Sequence, residues 1–70
     1  HRLVIINKIE QGMIGKIAEY IANEKLNISD MVNKSREDIA INLIDLDSKP
    51  SRELIQSLYK IEHVLSVRVC

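Results

Sequence analysis

Residues 26–47 read LNISDMVNKSREDIAINLIDLD, and their pattern decides the fold. In residues 26–34, Leu26, Ile28 and Val32 alternate with Asn27, Ser29, Met31 and Asn33, and Asp30 interrupts the apolar side. Such alternation predicts a strand with one face in solvent, suited to a sheet edge. Ser35, Arg36, Glu37 and Asp38 make a polar turn of hairpin length. Residues 39–47 then carry Ile39, Ile41 and Leu43 on one side and Ala40, Asn42 and Ile44 on the other. Apolar residues on both sides mark a central strand.

On either side of this hairpin the hydrophobic period changes. Residues 2–7, RLVIIN, are again apolar on both faces, and residues 8–12, KIEQG, end that run with a glycine before a helix. From Met13 to about Lys25, Ile14, Ile17, Ala18 and Ile21 fall at helical spacing and predict one buried stripe. After the hairpin, Ser48-Lys49-Pro50 stops the sheet, with Pro50 expected in the first turn of a second helix. Leu54, Ile55, Leu58 and Ile61 form that helix's stripe. Leu65, Val67 and Val69 alternate with Ser66, Arg68 and Cys70 in a last strand. The order βαββαβ, with right-handed crossovers, predicts an α+β ferredoxin-like domain. A four-stranded antiparallel sheet carries both helices on one face, with the first and third strands central.

Seventy residues make a single domain, residues 1–70, too short to bury more than about 60% of its unfolded surface. Cys70 is the only cysteine, which rules out an internal disulfide and agrees with a reducing, cytoplasmic setting. Cys70, His1 and His63 lack the close spacing of zinc ligands, so no metal is expected. No apolar run approaches the roughly 18 residues of a membrane span, and no membrane partner is expected. Ten basic and ten acidic residues give zero net charge, against the basic footprint of a nucleic-acid binder. The chain has no Phe or Trp, and Tyr20 and Tyr59 fall on predicted helices, so the strands offer no base-stacking platform. The first strand begins at Arg2 with no methionine before it, and the expectation is a fragment from the end of a longer protein.

Catalysis finds no constellation of groups. Asp45 and Asp47 share a strand face but read as a solvated strand end. His63 has no partner in the sequence pattern, and Cys70 has no neighbour that would activate a thiolate. The remaining signal is the first loop, where a strand ends, the chain turns at Gly12, and the unpaired N–H groups of a helix start at Met13 are able to receive a carboxylate. Asn7 before that loop and Asn27 at the second strand add amide donors and acceptors; turns and caps are the competing role for both.

This pattern resembles the ACT family of regulatory domains, and more narrowly the carboxy-terminal regulatory domains of D-3-phosphoglycerate dehydrogenases. The resemblance rests on LNISDMVNKSRED (26–38), IAINLIDLD (39–47), the helix MIGKIAEYIANEKLN and the ending IEHVLSVRVC. It implies a non-catalytic sensor attached to an NAD-dependent enzyme of serine biosynthesis; the chain itself would hold no cofactor. It also implies two domains side by side with L-serine at their interface. The first loop (Asn7, Ile9, Gly12, Met13) would face the neighbour's Asn27. The residues themselves also predict a homodimer paired through the sheet edge: Asn27, Ser29, Met31 and Asn33 share one face of the second strand, and between Leu26 and Asn33 there is no lysine or proline and only Asp30 is charged. An ACT domain of another amino-acid enzyme, or an assembly module without ligand, is the alternative. The loop departs from the serine-sensing pattern: Asn7 stands in place of histidine, Ile9 of asparagine and Gln11 of proline. Ile9 removes one polar contact, worth about 1–3 kcal/mol when buried.

Overall fold

The computed structural model describes residues 1–70. Six elements follow in the expected order: β1 (Arg2–Lys8), α1 (Met13–Asn23), β2 (Ile28–Arg36), β3 (Ile39–Leu46), α2 (Arg52–Tyr59) and β4 (Val64–Val69). The strands form one sheet in the order β2-β3-β1-β4, with every neighbouring pair antiparallel. The two strands that are apolar on both faces are therefore central, and the more polar β2 is an edge. Both helices lie on one face, because one cluster joins Leu3, Ile5, Ile44, Leu46 and Val67 of the sheet to Met13, Ile17 and Ile21 of α1 and to Leu54, Leu58 and Ile61 beside α2.

Local chemistry sets the turns. Glu37 and Asp38 form a two-residue loop between the paired Arg36 and Ile39, with Glu37 at φ 56°. A positive φ there matches the twist of the flanking strands. Ser51 caps α2, its hydroxyl accepting the Leu54 N–H at 3.0 Å. Pro50 thus precedes the cap as a buried residue instead of opening the helix. Tyr59 fastens the end of α2 to the sheet, its hydroxyl donating to the Val67 carbonyl at 3.1 Å.

Three positions differ from strict periodicity. Met13, not Ile14, faces the core, and Ile14 is 46% exposed. The helix begins at Met13, so the stripe runs 13-17-21 at a spacing of four. In β2 the register shifts between Ile28 and Asp30, which turns Met31 onto the helix-covered side opposite Ile44. In β4 a shift against Ile6 and Asn7 brings Val64 to the core and leaves Leu65 out. Each bulge adds one residue and reverses the alternation beyond it.

The depth of the two helical stripes yields a stability contrast. Leu58→Ala, at a fully buried site, is expected to cost about 2–5 kcal/mol. Ile14→Ala, half exposed, is expected to stay within about 0.5 kcal/mol. Equilibrium urea unfolding of both variants measures the difference.

Candidate functional site

The end of the sheet where β1 enters the first loop carries a buried polar relay. Asn42, on β3, is completely buried, and Asn7, on β1, is 2% exposed. The Asn42 Nδ2 donates to the Ile5 carbonyl at 3.0 Å and to Asn7 Oδ1 at 2.7 Å. Asn7 Nδ2 donates to the Lys8 carbonyl at 2.7 Å. Asn33 Nδ2, from β2, donates to Asn42 Oδ1 at 2.6 Å. The two backbone carbonyls can only accept, so they fix every amide orientation along the row. The Asn42 oxygen must then face Asn33, Asn33 must turn its nitrogen inward, and the Asn33 oxygen is left outward as an acceptor with no protein partner.

The start of α1 faces the same region. Gly12 sits at φ 83°, a left-handed conformation that favours glycine, and no side chain caps the helix. Its carbonyl accepts the Lys16 N–H at 3.0 Å, and the Met13 N–H reaches the Glu10 carbonyl at 3.3 Å. The N–H groups of Ile14 and Gly15 have no protein partner. The loop is held at both sides: the Lys8 N–H donates to the His63 carbonyl at 2.8 Å and the Ile9 N–H to the Asp38 carbonyl at 2.9 Å.

Between helix start and relay lies a cleft of about 190 Å³. Ile9, Met13, Ile14 and Ala40 supply apolar walls; Glu10, Asn33 and Ser35 supply oxygen acceptors. That volume is below the roughly 300–1,000 Å³ of drug-sized sites, and suits a molecule of about ten heavy atoms. No basic side chain lines it. Positive character comes from the helix N–H groups, and negative character from Glu10 and the amide and hydroxyl oxygens.

Of the residues expected at a ligand site, Asn7, Gly12 and Met13 meet in this cleft, and Ile9 borders it at 47% exposure. Asn7 contributes as a buried support, because its oxygen and one amide hydrogen are already used. Asn27 lies elsewhere in the chain, at the far end of the sheet. Its N–H and Nδ2 donate to the Asp47 carboxylate at 3.2 and 3.1 Å. Asn33, Asn42, Ser35 and Glu10 were not assigned to the ligand site by sequence reasoning. Asn42 carried a signal, an amide between Ala40 and Ile44 on the core side of a central strand.

The expected row Asn27, Ser29, Met31 and Asn33 is not one outward surface. Asn27 precedes β2, and the Ser29 hydroxyl bonds the Asp45 carbonyl at 3.1 Å within the bulge. Met31 packs on the core, and Asn33 points to Asn42. The bulge is the physical reason.

The other titratable groups are engaged separately. Arg2 meets Asp45 through two bonds of 2.7 and 3.2 Å, and that bond holds the Asp45 carboxyl below its ordinary range. The Asn27 N–H does the same for Asp47. His63 lies 4.0 Å from Glu10 and 3.9 Å from Glu62. No group of three or more His, Cys, Asp or Glu forms a metal cage, and no helix is long and apolar enough to cross a membrane.

Taken together, the chain has a ferredoxin-like βαββαβ fold with a polar cleft at the first strand-to-helix loop. No family model matches the chain, and no curated protein matches it in sequence. The fold is that of solved ACT domains. The crystal structure of the ACT domain from GTP pyrophosphokinase of Chlorobium tepidum superposes with a TM-score of 0.79 at 21% identity, over 96% of this chain and 91% of that chain. The solution NMR structure of that ACT domain gives a TM-score of 0.70 at 24% identity, over 96% and 80%.

Two measurements follow from this geometry. Asn42→Leu strands the Asn33 and Asn7 amides and is expected to destabilise by about 1–3 kcal/mol, although leucine is more apolar; urea unfolding reads the loss. Asp45 and Asp47 have depressed folded-state values, so their stabilisation is full above the ordinary carboxylate range. It is lost as pH falls through the lower folded values. Thermal unfolding followed from pH 6 downward is expected to show Asp47→Asn losing less stability below about pH 4 than the parent chain.

Proposed function

We propose that this domain is a regulatory module that binds a free amino acid in the cleft between the first loop and β2. The observation that carries the proposal is the pairing of opposite polarities across one small cleft. On one side are the unpartnered Ile14 and Gly15 N–H groups. On the other is the Asn33 oxygen, turned outward by the buried relay. An α-carboxylate suits the helix start, where N–H groups and helix dipole favour an anion. An α-ammonium suits the Asn33 and Ser35 oxygens with Glu10 behind them. Neutral overall, a zwitterion needs no basic side chain, and none lines the cleft.

L-serine is the ligand that the sequence resemblance implies, but the walls favour a small apolar side chain. Ile9, Met13, Ile14 and Ala40 offer no hydroxyl partner, and a buried unpaired hydroxyl is costly. The proposed parent is an NAD-dependent D-3-phosphoglycerate dehydrogenase, supported by the order of matching stretches through residues 26–47 and the ending at 61–70. The likeness to an ACT domain from a GTP pyrophosphokinase supports a second parent of that kind. A G-x-G-x-x-G strand-turn-helix unit in the preceding chain distinguishes the dehydrogenase.

Titration calorimetry with the standard amino acids tests the module. Saturable binding of an amino acid is expected, tighter for alanine or valine than for serine. Asn33→Ala is expected to weaken it at least fivefold, about 1 kcal/mol, Asn27→Ala to leave it unchanged, and Ile9→Asn to shift preference toward serine. No heat with any amino acid, by chain or variant, would refute the module.

A further inference from the structure

We propose that the uncovered face of the sheet is a docking surface for a second copy of this chain, stacked face to face with its strands antiparallel to the first. An antiparallel sheet with one side in water ordinarily turns polar residues outward. Here the centre of that face is apolar. One row runs Ile41 and Ile6 across β3 and β1, between Lys34 on β2 and Ser66 on β4, and the next runs Val32, Leu43 and Val4 across β2, β3 and β1 and ends at Arg68 on β4. Val32 is 38% exposed, and the other four are shielded only in part. No helix covers them, since both helices pack on the opposite side.

The apolar centre and the charges around it together suit a second copy in one orientation. The end of the face near the hairpin carries Arg36 and Lys34 on β2 and Lys8 on β1. The far end carries Asp30 on β2 beside Asp45 on β3, the latter joined to Arg2. The hairpin acids Glu37 and Asp38 lie beyond the basic end, outside the paired rows. A two-fold axis across the strands lays β2 over β2 with opposite ends together. Arg36 then meets the other copy's Asp30, Ile41 and Ile6 meet Leu43 and Val4, Arg68 meets Ser66, and Lys8 lies over Arg2, whose charge Asp45 already balances. An axis along the strands would instead collect Arg36, Lys34 and Lys8 of both copies at one end, an arrangement disfavoured by repulsion. Strand spacing and rise make the face roughly 19 by 23 Å. Two such faces, with side-chain relief, bury about the 1,000 Å² that a specific interface clears. The bulge at Ser29 meanwhile blunts the β2 edge, a common device against edge pairing.

Sedimentation equilibrium of the 70-residue chain from about 1 to 500 µM tests this. A monomer–dimer equilibrium is expected. Arg36→Glu and Asp30→Lys are each expected to raise the dissociation constant at least tenfold, about 1.4 kcal/mol. The double variant is expected to return it to within about threefold of the parent. These charges would also meet in an edge-paired dimer, so Ile6→Lys and Leu43→Lys, on the central strands, separate the two arrangements. Circular dichroism confirms that each is folded, and both are expected to abolish the dimer. A chain that stays monomeric throughout would overturn the proposal. So would a dimer indifferent to a folded Ile6→Lys or Leu43→Lys variant, which assigns pairing to the edge. Amino-acid binding is read separately, so either result leaves the ligand reading where it stands.

Discussion

Asn42 puts a side-chain amide inside the protein, with none of its surface exposed. A side-chain amide placed on the core face of a central strand has to find partners inside the protein, because no water reaches it. It finds them in three strands: the Ile5 carbonyl and Asn7 on β1, and Asn33 on β2. This row ends the apolar core of Leu3, Ile5, Ile44 and Leu46 and starts a polar layer at the same level as Gly12. Satisfied networks of this kind specify one register, since slipping either neighbouring strand by one residue would send its asparagine to the opposite face. The amide that completes the core is thus also the one that prepares the cleft.

That dual role explains why the cleft needs so few polar atoms. Backbone carbonyls, which can only accept, orient Asn42 directly through Ile5 and by way of Asn7 through Lys8; Asn42 orients Asn33, and Asn33 presents an acceptor whose direction is set before any ligand arrives. A group held by packing and by its own hydrogen bonds loses little freedom on binding, which is the main cost for small ligands. The opposing N–H groups are equally fixed, being the first turn of a helix pinned by Met13, Ile17 and Ile21. Binding at this seam would bridge α1 and β2, which share no direct backbone hydrogen bond, so a ligand would couple helix to edge strand.

Much of the fold was legible in the sequence because hydrophobic period and turn chemistry agree along the chain. The runs at 2–7 and 39–47 are apolar on both sides, and both strands prove central. The polar hairpin and the glycine turn fall where the backbone bends. What periodicity missed were single-residue register events. The bulge at Ser29 turned Met31 inward, and the one near Leu65 exchanged it for Val64. A bulge depends on strand partners and has no local signature here, with no glycine or proline to mark it. The cleft was half legible. Gly12 and Met13 follow from a loop before a helix, and Asn7 from its place beside it. Asn33 became visible only through Asn42, because its role depends on a neighbour 9 residues away, across the hairpin. Asn27, which the resemblance places against a neighbouring domain's first loop, is bonded within its own chain to Asp47.

If an amino acid is received by the start of α1 and the relay together, both must respond to it at once. Amide chemical shifts of the labelled chain, followed while alanine, valine and serine are added, test it most directly. The Ile14 and Gly15 N–H resonances are expected to move first and furthest, with the Asn33 side-chain amide following at the same saturation, while the Asn27 and Asp47 amides stay in place. Shifts centred on Asn27, or none at Ile14 and Gly15 at saturating ligand, would contradict it.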